Sequence, residues 1–375
     1  MALTIAVNTR LLIKNKLEGI GWFTYESLKR MVKNHPEHQF VFLFDRPYSD
    51  EFIFAPNVTP MQIGLPARHP ILFYLWFEWA IPAALKKIKA DLFLSPDGYL
   101  SLSTNVPQLP VIHDLNFEHY PKDLPFLMSN YYRYYFPKFA NKATRIATVS
   151  EASKADINNL YHIEKNKIDV VYNGASDWFK PISELEKAAT RNQYAQNKPY
   201  FLYVGSLHPR KNLNNLLKAY DLFRKQNESN TQLLIVGEKY YWTNEMEITY
   251  NSMQYKNEVH FTGRLFEEKL GKVMASAQAL VYVSYFEGFG IPMVEAMNAE
   301  VPVLASNVSC MPEIAGNAAY YVNPFDTQQI ANGLKELDKN ETLRNQLIEQ
   351  GKLQRMKFSW DKTAEKLWDS IKKIV

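Results

Sequence analysis

The chain has 375 residues, 46% of them hydrophobic and 22% charged, with a formal net charge of +4. This composition excludes a disordered chain, and so small a charge gives no reason to expect a nucleic-acid partner. The length suits two domains of similar size, while a sole cysteine, Cys310, excludes an internal disulfide and fits a reducing cytoplasm.

The opening residues MALTIAVNTR show no basic region followed by a long apolar core, so no secretion signal is expected. Leu3 to Val7 and Gln39 to Phe44 read as strands flanking a helix over Trp22 to Val32, a βαβ unit and hence a parallel sheet. The loop before that helix carries Gly19-Ile20-Gly21, which lacks the spacing of a dinucleotide fingerprint and reads locally as a flexible turn. Pro70 to Lys89 is unusually aromatic, with Phe73, Tyr74, Trp76, Phe77 and Trp79 followed by Lys86, Lys87 and Lys89. Glu78 and Pro82 interrupt it, so it is no bilayer span. It reads either as a helix lying on a membrane surface or, preferably, as a core helix with a solvated basic end. Asn130 to Lys142 alternates tyrosines with basic residues, and it either holds an anionic or lipid-linked acceptor or packs against the first domain.

Pro110 to His113 reads as a short strand delivering His113 and Asp114 to the carboxyl edge of the sheet, where open α/β folds bind ligands. Arg145 to Val149 is a further strand, and Ser150 with Glu151 suits the cap and first turn of the next helix. After a strand at Ile168 to Tyr172 and a turn at Asn173-Gly174, the polar tract from Ser176 to Lys198 reads as a linker.

Tyr200 to Val204 restarts the alternation and leads into GSLHPRKN, with Gly205, Arg210 and Lys211, ahead of a helical pattern. Adjacent cations at a helix start oppose the macrodipole, a conflict that a bound diphosphate would resolve. Strands at Gln232 to Val236 and Val259 to Thr262 each end in glycine, and Glu267 to Ala277 reads as a helix. Ala279 to Val283 is a buried strand, followed by SYFEGFGIPMVEAMNAEVP. Gly288 and Gly290 permit a sharp turn and Pro292 suits a first helical turn, so Glu287 lies in a loop and Glu295 about one turn into a helix. Exposed amides there favour an anion, and two carboxylates beside it would accept hydrogen bonds from hydroxyls, a combination that fits a nucleotide sugar. Val301 to Ala305 is a strand, Cys310 lacks a paired base, and Phe358 to Val375 is an amphipathic helix with Trp360, Leu367, Trp368 and Ile371.

The stretch from Glu287 to Met297 resembles the EGFGLPxxEAM signature of retaining GT-B glycosyltransferases of the glycogen-synthase-like group, family four and mannosyltransferase-like. The IHD at Ile112 to Asp114, the TVSEASKADI segment, the YNG turn, PRKN at Pro209 to Asn212 and SNVSCMPEIAG extend the resemblance over most of the chain. It implies an α/β fold of two Rossmann-like domains with a central cleft: residues 1–175 on the acceptor side, a linker at 176–199, a nucleotide-sugar domain at 200–355, and a terminal helix at 356–375 crossing back. It implies retaining transfer of a hexosyl group, mannosyl favoured, from GDP-mannose or a UDP-sugar to an acceptor hydroxyl. The acceptor would be a glycan or lipid-linked saccharide, met in the cytoplasm or at the inner membrane face. The alternatives are an epimerase or hydrolase on the same fold, or a non-catalytic sugar-nucleotide-binding subunit.

The implied catalytic set is Glu287, His113, Arg210 and Lys211, with the cations on the departing diphosphate, Glu287 on sugar hydroxyls and His113 on the donor sugar. The implied donor-binding set is Gly19, Gly21, Gly205, Arg264, Leu265, Gly288, Phe289, Gly290 and Glu295, with Glu295 on the ribose and Arg264 and Leu265 near the base. No acidic pair of the DxD type recurs in a suitable loop, so no metal is expected. Two positions depart from the family: His208 replaces a frequent acidic residue, and Glu300 stands where glycine is usual.

Overall fold

The computed structural model describes residues 2–64, 66–67 and 69–375, the side chain of Glu267 excepted. It divides into two compact units, one of Met1–Gly174 with Ser359–Val375, the other of Ala175–Phe358.

The first unit holds a seven-stranded parallel sheet of β1 (Thr4–Asn8), β2 (Gln39–Phe44), β3 (Val58–Gln62), β4 (Leu92–Ser95), β5 (Gln108–Ile112), β6 (Ile146–Thr148) and β7 (Ile168–Val170). Its strand order is β3-β2-β1-β4-β5-β6-β7. Central strands β1 and β4 carry the buried apolar runs Ile5-Ala6-Val7 and Leu92-Phe93-Leu94, as a sheet covered on both faces requires, while β3, with Pro60, sits at an edge. The helix Gly19–Asn34 buries Phe23, Leu28, Met31 and Val32 against the sheet. It starts earlier than the sequence reading, so Gly19 and Gly21 lie in its first turn rather than in a loop. Gly21 has a packing reason to be there: a Cβ would meet the Leu11 carbonyl at 3.1 Å.

The helix Trp360–Lys372 belongs to this unit. Ser359 caps it, Trp368 stacks on His35 at 3.7 Å, and Asp361 pairs with Arg30. Thr363 Oγ1 donates to the Tyr172 carbonyl at 2.6 Å, and Gly174 passes so close that a Cβ would lie 2.3 Å from the Trp360 nitrogen. The aromatic run after Pro70 forms Pro70–Leu75, a π-helical turn at Trp76–Ala80, and Ile81–Ile88. Phe73, Trp76 and Phe77 are core residues, whereas Tyr74, Leu75 and Trp79 are exposed, so the core-helix reading holds for one face only. Among the described residues no helix is long and apolar enough to cross a membrane.

The second unit holds a six-stranded parallel sheet of β8 (Tyr200–Val204), β9 (Gln232–Val236), β10 (Val259–Gly263), β11 (Ala279–Tyr282), β12 (Val303–Ser306) and β13 (Ala319–Val322), ordered β10-β9-β8-β11-β12-β13. Phe201, Leu216, Phe223, Ile235, Val281 and Leu334 build its core. The tract read as a linker contains a helix, Glu184–Ala195, opened by a capping box between Ser183 and Glu186 and burying Thr190 and Ala195. Its apolar face is too narrow to register as a period.

Candidate active site

In a doubly wound sheet, ligands collect at the carboxyl ends of the strands where the order reverses. In the second unit that point lies between β8 and β11. The loop after β8 carries Gly205 to Asn212 and the loop after β11 carries Ser284 to Gly290, so topology brings Arg210, Lys211 and Glu287 together. Pro209–Lys211 forms a single 3-10 turn, Asn212 follows in the left-handed region at φ 61°, and the helix Leu213–Gln226 begins after it. The cations therefore stand just ahead of the helix. His208 caps their turn by accepting the Arg210 N–H on Nδ1, which is the role its imidazole takes where the family favours an acid.

Arg210 Nη1 lies 2.6 Å from Glu287 Oε2 and Lys211 Nζ lies 2.6 Å from Oε1. Arg210 also donates to the Phe286 carbonyl, and Lys211 to the Tyr282 hydroxyl at 2.8 Å. Burial alone would push the Glu287 carboxyl up, but the Arg210 and Lys211 charges overcome it and hold the pKa at about 2. The charge conflict at this helix start is thus met by a carboxylate that two cations share. Gly205, at φ 149°, lies under Lys211, whose Cε is 3.5 Å from where a Cβ would sit.

Gly290, at φ 88°, leads into the helix Ile291–Asn298, and among the described residues no side chain caps that helix. Phe289 is buried edge-on against Phe358 at 5.5 Å, so only its backbone is placed to meet a ligand. Glu295 lies in the same helix, and among the described residues no hydrogen bond or ion pair reaches its carboxylate; burial pushes its pKa up to about 8. Arg264 and Leu265 follow Gly263 at the end of β10, with the Arg264 guanidinium 4.6 Å above the Phe266 ring.

His113 follows β5 in the first unit. Its Nε2 lies 2.8 Å from the Pro96 carbonyl, which can only accept, so Nε2 carries the proton and Nδ1 keeps its lone pair. Burial lowers its pKa, which favours the neutral ring. Asp114 holds the loop by accepting the Asn116 N–H.

Several residues here escape the sequence reading. Ser309 accepts the Glu287 N–H and donates to the Glu287 carbonyl at 2.7 Å, pinning that loop from the end of β12. Asn212 donates to the Val283 and Pro324 carbonyls, tying the cationic turn to β11. In the first unit the reversal lies between β1 and β4, and there Arg10 Nε meets Asp97 Oδ2 at 2.5 Å. Its guanidinium sits 4.4 Å from the Tyr99 ring centre and 4.9 Å from that of Phe73.

The family model for glycosyl transferases group 1 matches residues 186–354, and that for glycosyltransferase family 4 matches residues 17–177. The chain is a GT-B glycosyltransferase. This glycosyltransferase is 25% identical over 364 residues to O-antigen chain mannosyltransferase B of Escherichia coli, covering 93% of this chain and 94% of that one. It is 27% identical to O-antigen chain mannosyltransferase RfbU of Salmonella typhimurium, covering 76% of each. Sucrose-phosphate synthase from Thermosynechococcus elongatus shares its fold at a TM-score of 0.80 and 17% identity, over 99% of both chains. HepE of Anabaena, solved in complex with UDP and glucose, does so at 0.77 and 16% identity, over 99% of this chain and 100% of that one.

Proposed function

We propose that this glycosyltransferase moves a mannosyl group, with retained anomeric configuration, from a nucleoside diphosphate sugar to an acceptor hydroxyl during polysaccharide synthesis of the O-antigen type. The observation that carries this reading is the pair Arg210 and Lys211 beside an uncapped helix N-terminus at the reversal point of the second sheet. The two cations and the amides from Gly288 to Gly290 stabilise the charge that develops on the departing diphosphate, which is electrostatic catalysis with no metal required. Glu287 and the bare Nδ1 of His113 take sugar hydroxyls. Glu295 takes the ribose diol, with Arg264 and Leu265 near the base and Gly19 and Gly205 allowing close approach of phosphate, whereas Gly21 is taken up by packing against the Leu11 carbonyl.

The relatives are mannosyltransferases by name, which supports a mannosyl donor, for which GDP-mannose is our first candidate; the UDP in the HepE complex keeps a UDP-sugar as the second. The acceptor is a glycan or lipid-linked saccharide, met at the inner face of a membrane by peripheral contact. A thermal-shift panel of GDP-, UDP- and ADP-sugars tests the donor, since a ligand at about 100 times its Kd adds about 2.7 kcal/mol to stability. The expected result is a rise in Tm with GDP-mannose that survives EDTA, followed by mannosyl transfer. A flat panel would overturn the reading.

A further inference from the structure

We propose that the face shared by the helical run 70–88 and the helix Phe126–Lys142 docks on an anionic lipid bilayer. This deepens the reading above, on which it rests, by naming the surface and the lipid chemistry. Ile71, Tyr74, Leu75 and Trp79 recur at helical spacing on the side opposite the buried Phe73 and Phe77. Ile71 is 65% exposed and Trp79 70%, and on the second helix Phe126 is 78% and Leu127 63% exposed. Side chains of this kind rarely cluster at the surface of a soluble monomer without a partner. The two segments touch through Phe73 and Tyr131 at 5.7 Å and Tyr74 and Tyr135 at 6.5 Å, so their exposed residues form one neighbourhood. A groove of about 360 Å³ opens there, lined by Gly64, Leu72, Leu75, Trp76, Trp79 and Ala80.

Charge selects the occupant. The first segment ends in exposed Lys86, Lys87 and Lys89, and the second carries Arg133, Lys138 and Lys142. Lys138 Nζ rests 3.4 Å over the Tyr134 ring, and Arg133 pairs with Glu118. Glu78 is the sole acid across both segments, and its carboxylate is turned to the Leu102 N–H and the Ser103 hydroxyl. A second copy meeting this face with its own would set lysines against lysines. A nucleic acid would leave Ile71, Leu75 and Leu127 without a role. An acidic bilayer uses every component: aliphatic side chains enter the acyl boundary, tryptophan and tyrosine settle at headgroup depth, and lysines meet anionic headgroups.

The test is co-sedimentation of the full chain with vesicles of phosphatidylcholine alone or mixed with phosphatidylglycerol. We expect binding to the anionic vesicles that weakens as salt rises. Trp79→Ser with Phe126→Ser should reduce binding at least tenfold. Replacing Lys86, Lys87 and Lys89 by Gln should reduce the anionic preference by roughly fivefold per lysine. Both variants should keep the nucleotide-induced rise in Tm, which reports an intact fold and site. Wild-type protein that ignores anionic vesicles, or variants that bind them unchanged, would overturn the proposal. So would a dimer in light scattering that the Trp79→Ser, Phe126→Ser variant dissolves. Vesicle binding by a chain that answers to no nucleotide sugar would uphold this surface while removing the transferase reading.

Discussion

Glu287 neutralises two cations from a buried position, and the diphosphate proposed above would shift that balance. Exchanging it for Gln keeps the size and removes the charge, leaving Arg210 and Lys211 without their shared counter-charge. Glu287→Gln should therefore lower the Tm of the unliganded protein, and a nucleoside diphosphate should raise it by more than in wild type. Transfer should fall by roughly 100-fold or more, as when one preorganised stabilising group is lost. Equal ligand-induced shifts in the two proteins would contradict the shared-anion account. Glu295 gives a pH signature. Its folded pKa of about 8 lies above the ordinary 4.5, so the folded state holds a proton that the unfolded chain has released. The stability this provides is complete below about 4.5 and is lost as pH rises through about 8. Urea denaturation from pH 5 to 9 should show that decline in wild type and a flatter profile in Glu295→Gln. Glu300 occupies the left-handed region at φ 59°, and its ion pairs with Lys352 and Arg355 are long and partly solvated, at 3.4 and 3.6 Å. Glu300→Gly should raise stability by roughly 0.5–1 kcal/mol once the added freedom of the unfolded chain is subtracted. Chemical denaturation would read the change.

At the scale of elements, the helix Trp360–Lys372 is held by aromatic stacking more than by charge. Trp368→Ala removes a ring packed on His35 and should cost about 3 kcal/mol by the same denaturation assay. Burial lowers the His35 pKa, so its contribution is present above the ordinary 6.5 and lost as pH falls through the lower folded value. Strands buried on both faces, such as β2, β8 and β11, were legible because they are unbroken apolar runs. β3 was not, since an edge strand reading VTPMQ has neither alternation nor a run. The helix Glu184–Ala195 hid for a related reason, its capping box being plain in the sequence but its apolar stripe slender. The cationic turn and Glu287 were legible through chemistry that looks misplaced locally. The Arg10–Asp97 pair was not, because its members lie 87 residues apart and only the reversal of strand order unites them. Ser309, which pins the Glu287 loop, sits in a segment that the sequence marked without revealing which atom does the holding.

For the molecule as a whole, one unit is continuous in sequence and the other is not. Residues 175–358 carry their own six-stranded sheet, core and cationic turn. A fragment of those residues should fold cooperatively and keep a nucleoside-diphosphate-induced rise in Tm, read by calorimetry. Removal of residues 359–375 should instead lower the transition of the other unit and leave the nucleotide response in place. Loss of that response on truncation would contradict the division of labour.

The split unit also carries a consequence for biosynthesis. Its seven strands leave the ribosome well before residues 359–375, so the ring surfaces of His35, His38 and Phe40 remain uncovered while residues 175–358 are made. The half begun first is finished by a segment translated after the other half is complete. Translation that stalls in between yields a nascent protein with one unit complete and its companion still lacking the helix that covers those rings.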